Sequence, residues 1–275
     1  PAYGTAFIFD SPYGDHQDYS TLIHEFGHFN ETFHSTEHDL WSSFYIDVGE
    51  IHSQGLEVLF TAYAGEMFGP EGGRAFYWST ISNMVSSVLE GCMYDEFQTA
   101  VYADPDMTLQ EVNRLFKSIS EEYGCAYDEG EEESCFWVEI PHTFQSPMYY
   151  ISYAASALSA LDLWLISLED RDKAVDIYLE LAAMGMSRPY RETVETVGLE
   201  DIFRERTMRR LADGIQDRLA EETGERFDGG TLPVVLLMTA GICGAAGITA
   251  GVLLGWRRRR WKRAAAAVED PWEPF

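Results

Sequence analysis

His24, Glu25 and His28 stand in the order His-Glu-Phe-Gly-His, a spacing that has chemical meaning if the segment is helical. At about 3.6 residues per turn, side chains four apart stack on one face of a helix. His24 and His28 can then offer two neutral imidazoles to one zinc ion, while Glu25, one residue round the helix, faces a water on that metal. The metal lowers the pKa of such a water towards about 7, and Glu25 can take its proton and pass it to the leaving amine. A bare motif of this kind also arises by chance, and zinc needs a third protein ligand. Residues 47–57 read Asp-Val-Gly-Glu-Ile-His-Ser-Gln-Gly-Leu-Glu, and Glu50, which opens a second helix, is the natural third ligand. Taken singly, Glu50 reads as a first-turn carboxylate favoured by the helix dipole and His52 as a surface imidazole. Two histidines and a glutamate on successive helices are what point to a metal. Glu57 is a candidate for orienting a ligand histidine, whereas His34 and His38 read as loop residues.

These side chains need elements to hold them. Leu22, Phe26, Phe29 and Phe33 recur at three- and four-residue spacing, which predicts a helix over about 19–33 with an apolar face and a His/Glu face. Helical patterns follow over about 48–67, 73–102, 109–123, 148–168, 174–184, 191–197 and 199–222. Gly185, Ser187 and Pro189 supply turn residues between two of them. Only the short apolar stretches 6–9 and 136–140 read as strands. The expected fold class is therefore mainly α.

A chain of 275 residues with 46% hydrophobic and 14% aromatic content can bury one sizeable core. Its formal net charge of -27 argues against a nucleic-acid partner, because phosphate binding needs clustered Lys and Arg. The charge is uneven. Residues 232–256 hold no charged side chain and exceed the roughly 20 helical residues needed to cross a hydrocarbon core. Arg257, Arg258, Arg259, Arg260, Lys262 and Arg263 follow at once. Basic residues stay on the cytoplasmic side of a span, so residues 257–275 are expected inside and the acidic domain outside the cell membrane. Within the span, Gly247 and Gly251 form a small-xxx-small pair that could pack two helices together. Cys92, Cys125, Cys135 and Cys243 lack zinc-binding spacing. Cys125 and Cys135 could close a disulfide outside the cell or stand as two unrelated buried thiols. The opening at Pro1, with no signal peptide, reads as a fragment.

The segments HEFGH and GEIHSQGLE resemble those of the thimet oligopeptidase and oligoendopeptidase F family, whose pattern is HExGH followed by V-E-x-P-S-Q-x-x-E. Glu31 stands where the family often has histidine and His52 where it has proline, and neither is a ligand. The similarity continues through residues 93–102, EVNRLFKSISEEYG, IPHTFQSPMYYISYAASAL and GMSRPYRETVETVGLED, covering nearly all of residues 1–222. The resemblance implies a multi-helical zincin-like catalytic domain over 1–222, while the charge and apolar pattern adds a linker over 223–231, one C-terminal transmembrane helix over 232–256 and a basic tail over 257–275, an anchor unlike the family's usual soluble enzymes. It also implies a set beside the metal, in which His142 and Tyr153 match the family's catalytic His and Tyr, and Tyr149 and Tyr150 occupy neighbouring substrate-binding positions. Neutral donors held there suit a developing oxyanion, while the plainer reading of a Tyr-rich helix is amphipathic core. Family members also carry a long helical N-terminal region, forming the other wall of a deep channel, that residues 1–222 do not include.

The leading expectation is a membrane-anchored zinc metalloendopeptidase with one zinc ion that hydrolyses short oligopeptides. The alternative is a membrane-tethered, zinc-containing peptide-binding module without turnover, against which the intact Glu25 argues. An aminopeptidase would need a group to capture the free amine, and no residue stands out for it. For the topology, protease added to intact cells is expected to cut within residues 1–225 and spare the tail. The reverse pattern would overturn an outside domain.

Overall fold

Amphipathic helices bury their apolar stripes by packing on one another, and the described helices do this with the exception of α1. A computed structural model describes residues 5–14, 17–35, 45–125 and 134–223. The expected membrane span, the basic tail, His38 and Cys243 lie outside them. The helices are α1 (Gln17–His34), α2 (Gly49–Phe60), α3 (Ala64–Ala103), α4 (Leu109–Glu122), α5 (His142–Gln145), α6 (Ile151–Glu169), α7 (Arg171–Met184), α8 (Tyr190–Val197) and α9 (Glu205–Thr223). Short 3-10 turns occupy Ile46–Val48, Thr61–Tyr63 and Phe136–Glu139.

Several boundaries have local causes. The helical pattern over 48–67 divides into α2 and the start of α3, and α3 itself breaks at Gly69, where φ is 72° and ψ 178°. Pro70 disfavours a helical conformation in the residue before it, and glycine accepts the positive φ. Helix α4 starts on a capping box, with the Thr108 hydroxyl accepting from the Glu111 amide and the Glu111 carboxylate accepting from the Thr108 amide. Helix α9 begins at Glu205 rather than near 199, because Leu199 and Ile202 are buried core anchors and Asp201 accepts from the Phe203 amide at 3.0 Å.

Neither apolar stretch expected as a strand forms one. Residues 6–9 have no regular structure and Phe136–Glu139 is a 3-10 turn. A short apolar run cannot be assigned by periodicity, and no strand exists among the described residues to pair with either. Cys125 and Cys135 are free thiols, the first half-buried and the second exposed.

Helix α6 is the centre. It is long and apolar enough to cross a membrane, yet 61% of its apolar window is buried inside the protein, so here it is a core helix. Leu161 and Trp164 meet Val58, Ile81 and Met84 on one side, while Leu163 meets Ile51, Leu181 and Val194 on another. A further aromatic cluster, Met93, Tyr94, Phe97 and Phe116, joins α3 to α4. Full burial of such side chains stabilises by about 1.5–3 kcal/mol each.

Helix α1 departs from its expected orientation. Only Ile23 and Gly27 are buried, while Leu22, Phe26 and Phe33 are 49%, 45% and 64% exposed. The rings of Phe26, Phe29 and Phe33 stack on each other instead, with centroids 5.2 and 5.8 Å apart. The cause is Gly27. A Cβ there would lie 2.4 Å from Ser53 Cα and 2.5 Å from the His52 carbonyl oxygen. Helix α1 therefore lies backbone to backbone on α2 along its Ile23/Gly27 strip. His52 is correspondingly fully buried rather than a surface imidazole, and His34 ends α1 rather than sitting in a loop.

Gly27→Ala is expected to force these backbones apart. Overpacking of this kind costs about 1–3 kcal/mol, readable as a lowered melting temperature. An unchanged Tm would refute the close approach.

Candidate metal centre

Glu50 lies in the first turn of α2 and is 7% exposed. Its Oε2 is 3.4 Å from His24 Nε2 and 3.5 Å from His28 Nε2, and suitable ligand atoms of the three residues all lie within 4.8 Å of one another. Tetrahedral zinc, with bonds of roughly 2.0–2.1 Å, sets its ligand atoms about 3.3 Å apart. The donor set therefore fits such an ion in type, number and spacing.

The supports of this trio also come from α2. Glu57, two turns after Glu50, has Oε1 2.8 Å from His24 Nδ1. With Nδ1–H donating to that carboxylate, Nε2 keeps its lone pair for a metal. Ser53 donates from Oγ to Glu50 Oε2 at 3.0 Å and to the Glu50 carbonyl at 3.1 Å.

The charges are as telling as the distances. Burial by itself would lower the pKa of His24, but hydrogen bonds to Glu50 and Glu57 overcome it and raise the value to about 10. Burial would raise that of Glu50, but the bonds from His24 and His28 hold it well below the usual carboxylate range. The buried carboxylates thus draw positive charge into the site. A divalent cation supplies that charge in place of a proton.

A second wall comes from α5, the turn after it and the start of α6. Tyr149 donates its hydroxyl to Glu50 Oε1 at 3.1 Å. Tyr153 Oη and His142 Nε2 are 3.3 Å apart, and the His142 ring stacks on Tyr149 with centroids 5.7 Å apart. Tyr150 packs on Tyr94 of α3 at 4.6 Å. Burial, then the nearby Glu50 charge, push Tyr153 up to about 12, and the same causes raise Tyr149 further. Both phenols therefore stay protonated at neutral pH and remain donors. Glu25 and His28, with Phe29 and Thr32, line one side of a cleft of about 260 Å³ whose other side is residues 5–9.

The structure thus brings His24, His28, Glu50 and Glu57 together, puts Glu25 on the adjoining cleft, and joins Tyr149 directly to Glu50. Ser53 is a contributor that the sequence reading passed over. Its signal was present, since a residue three beyond Glu50 on a helix shares its face. His52 is the reverse case: burial pushes it down to about 3, so it sits neutral beneath the site.

Residues 14–213 match the model of Peptidase family M3. Oligopeptidase PepF of Bacillus subtilis (strain 168) is 23% identical over 211 residues, which is 72% of this chain and 31% of that protein. Among solved structures, PZ peptidase A with an inhibitor superposes with a TM-score of 0.73 at 26% identity, over 80% of this chain and 40% of that one. An oligoendopeptidase F structure gives 0.73 at 28% identity, over 81% and 40%. The chain therefore spans less than half the length of these relatives.

Glu57→Gln keeps the shape of the His24 partner but removes its charge. Loss of such a partner typically weakens metal binding about 10–100-fold, and chelator competition for zinc is expected to show a drop in that range. Unchanged affinity would remove Glu57 from the site.

Proposed function

The chain belongs to Peptidase family M3, and from that premise we propose that it is a zinc metalloendopeptidase that hydrolyses peptide bonds in short oligopeptides. The observation that carries the reading is the convergence of His24 Nε2 and His28 Nε2 on Glu50 Oε2, at 3.4 and 3.5 Å, with Glu25 on the adjoining cleft. One zinc ion held by these three residues would polarise the scissile carbonyl and acidify the attacking water. Glu25 takes the proton of that water and delivers it to the leaving nitrogen. His142 and Tyr153 donate to the oxyanion that develops as the carbonyl is attacked. Tyr149 steadies Glu50 from the far side of the carboxylate, and with Tyr150 lines the path of the substrate.

Short, unfolded peptides are the proposed substrates because the relatives named above are an oligopeptidase and an oligoendopeptidase. The uncharged stretch 232–256 and the basic residues that follow it support a single-pass anchor, with the domain extracytoplasmic and the tail cytoplasmic. Gly247 and Gly251 offer a face for self-association in the membrane. The second reading is a zinc-containing peptide-binding module without turnover.

The test is hydrolysis of an internally quenched peptide by the full chain in detergent, with metal content measured on the same sample. Zinc near one per chain, with turnover that falls at least about 10²-fold in Glu25→Gln at unchanged zinc content, is the expected result. Zinc without turnover in the unaltered chain selects the binding module, and no zinc removes both readings.

A further inference from the structure

Tyr149 reaches Glu50 from a tight turn, and that turn runs against its own sequence. Residues Ser146, Pro147, Met148 and Tyr149 close with the Tyr149 amide donating to the Ser146 carbonyl at 3.2 Å. Proline in the second position and a positive φ in the third are the marks of a type II turn, which strongly prefers glycine third. Here the third residue is Met148, with φ of 64°, the one non-glycine residue with positive φ among those described. Methionine does not hold this conformation unaided, because its Cβ crowds the backbone there.

The constraint comes from another helix. Gln98 of α3, 3% exposed, accepts the Met148 amide hydrogen on Oε1 at 2.5 Å. Only the carbonyl end of the amide can face an N–H, so the orientation of Gln98 is set, and its Nε2 is left buried without a partner. In a type II turn the amide of the third residue points away from the turn. Rotating the central peptide to the type I form reverses that amide, and type I is what Pro-Met would otherwise favour. An acceptor fixed on α3 therefore chooses between the two forms, and with them the direction in which Tyr149 leaves the turn.

We propose that Gln98 is a positioning residue of the site: by accepting the Met148 amide it holds the turn in its left-handed form and so seats the Tyr149 hydroxyl on Glu50. The inference rests on the metallopeptidase reading for its link to turnover, but the link from Gln98 to Tyr149 stands on the geometry alone. Helix α3 thereby reaches the centre through a backbone amide. Gly91, two turns earlier on the same face of this helix, lets α6 approach closely, since a Cβ there would lie 2.7 Å from Ala154 Cβ and 2.9 Å from the Tyr150 carbonyl.

The test uses the full chain and three measurements: amide exchange over residues 146–150, zinc affinity by chelator competition, and kcat and KM on the quenched peptide. Gln98→Met is close in size and cannot accept strongly. It is expected to raise exchange in that segment, weaken zinc binding about 10-fold, as loss of a ligand's support does, and lower kcat with KM little changed. Gln98→Glu, which still accepts, should restore protection. Adding Met148→Gly to Gln98→Met should recover much of the zinc affinity, because glycine holds the positive φ without help. Tyr149→Phe should weaken zinc to a similar degree, with no further loss when combined with Gln98→Met. Unaltered exchange over 146–150 in Gln98→Met would overturn the proposal. So would exchange raised uniformly along the chain, or losses from Gln98→Met and Tyr149→Phe that add in full. A chain that never cleaves peptide would sink the peptidase reading, while the exchange result would still decide the role of Gln98.

Discussion

The contact between the backbones of α1 and α2 at Gly27 is the constraint from which the site follows. Helices with ordinary side chains at their crossing stay 8–10 Å apart, and the Gly27 crossing brings these two backbones into direct contact. With no Cβ at Gly27, α1 sinks onto the His52–Ser53 backbone, and the imidazoles of His24, about one turn before that crossing, and His28, next to it, close on Glu50. The same residue orients the helix. Because the strip that must face α2 is the one bearing Gly27, the phenylalanines of α1 turn outwards, against the ordinary hydrophobic preference.

Electrostatics then makes the arrangement purposeful. Glu50 is buried, and a buried carboxylate is costly unless its oxygens are occupied. His24 and His28 approach Oε2, Ser53 donates to the same oxygen, and Tyr149 donates to Oε1. Glu57 behind His24 adds a second negative charge. Such a group holds either protons or a metal cation, and its nitrogen and oxygen donors are of the kind zinc prefers.

The second wall depends on parts of the chain far from the motif. Tyr149 and Tyr153 flank the start of α6, a largely buried core helix, and the serines of that helix hold the chain before α2: Ser152 donates to Asp47 at 2.6 Å. Helices α2 and α6 are thus tied together next to Glu50, so the two walls share one rigid base. The aromatic cluster between α3 and α4 supports Tyr150 from below through Tyr94.

By itself the sequence determined the candidate donor set of the centre and most of the helices. His24, His28 and Glu50 are legible as a candidate metal-binding set because helical spacing converts directly into a shared face, and donor chemistry is a property of residue type. Helix positions are legible for the same reason, since period and capping are local. Tertiary structure alone decided which face of α1 is buried, that His52 is internal, that Phe136–Glu139 is a turn, that Tyr149 bonds Glu50 and that Gln98 bears on the site. Those outcomes depend on what another segment brings to the contact: an absent Cβ at Gly27, an α2 enclosed on several sides, a strand with nothing to pair with, an amide acceptor fifty residues away from Met148. Amphipathic periodicity describes one helix in isolation, whereas burial is a relation between helices, and only their packing settles it.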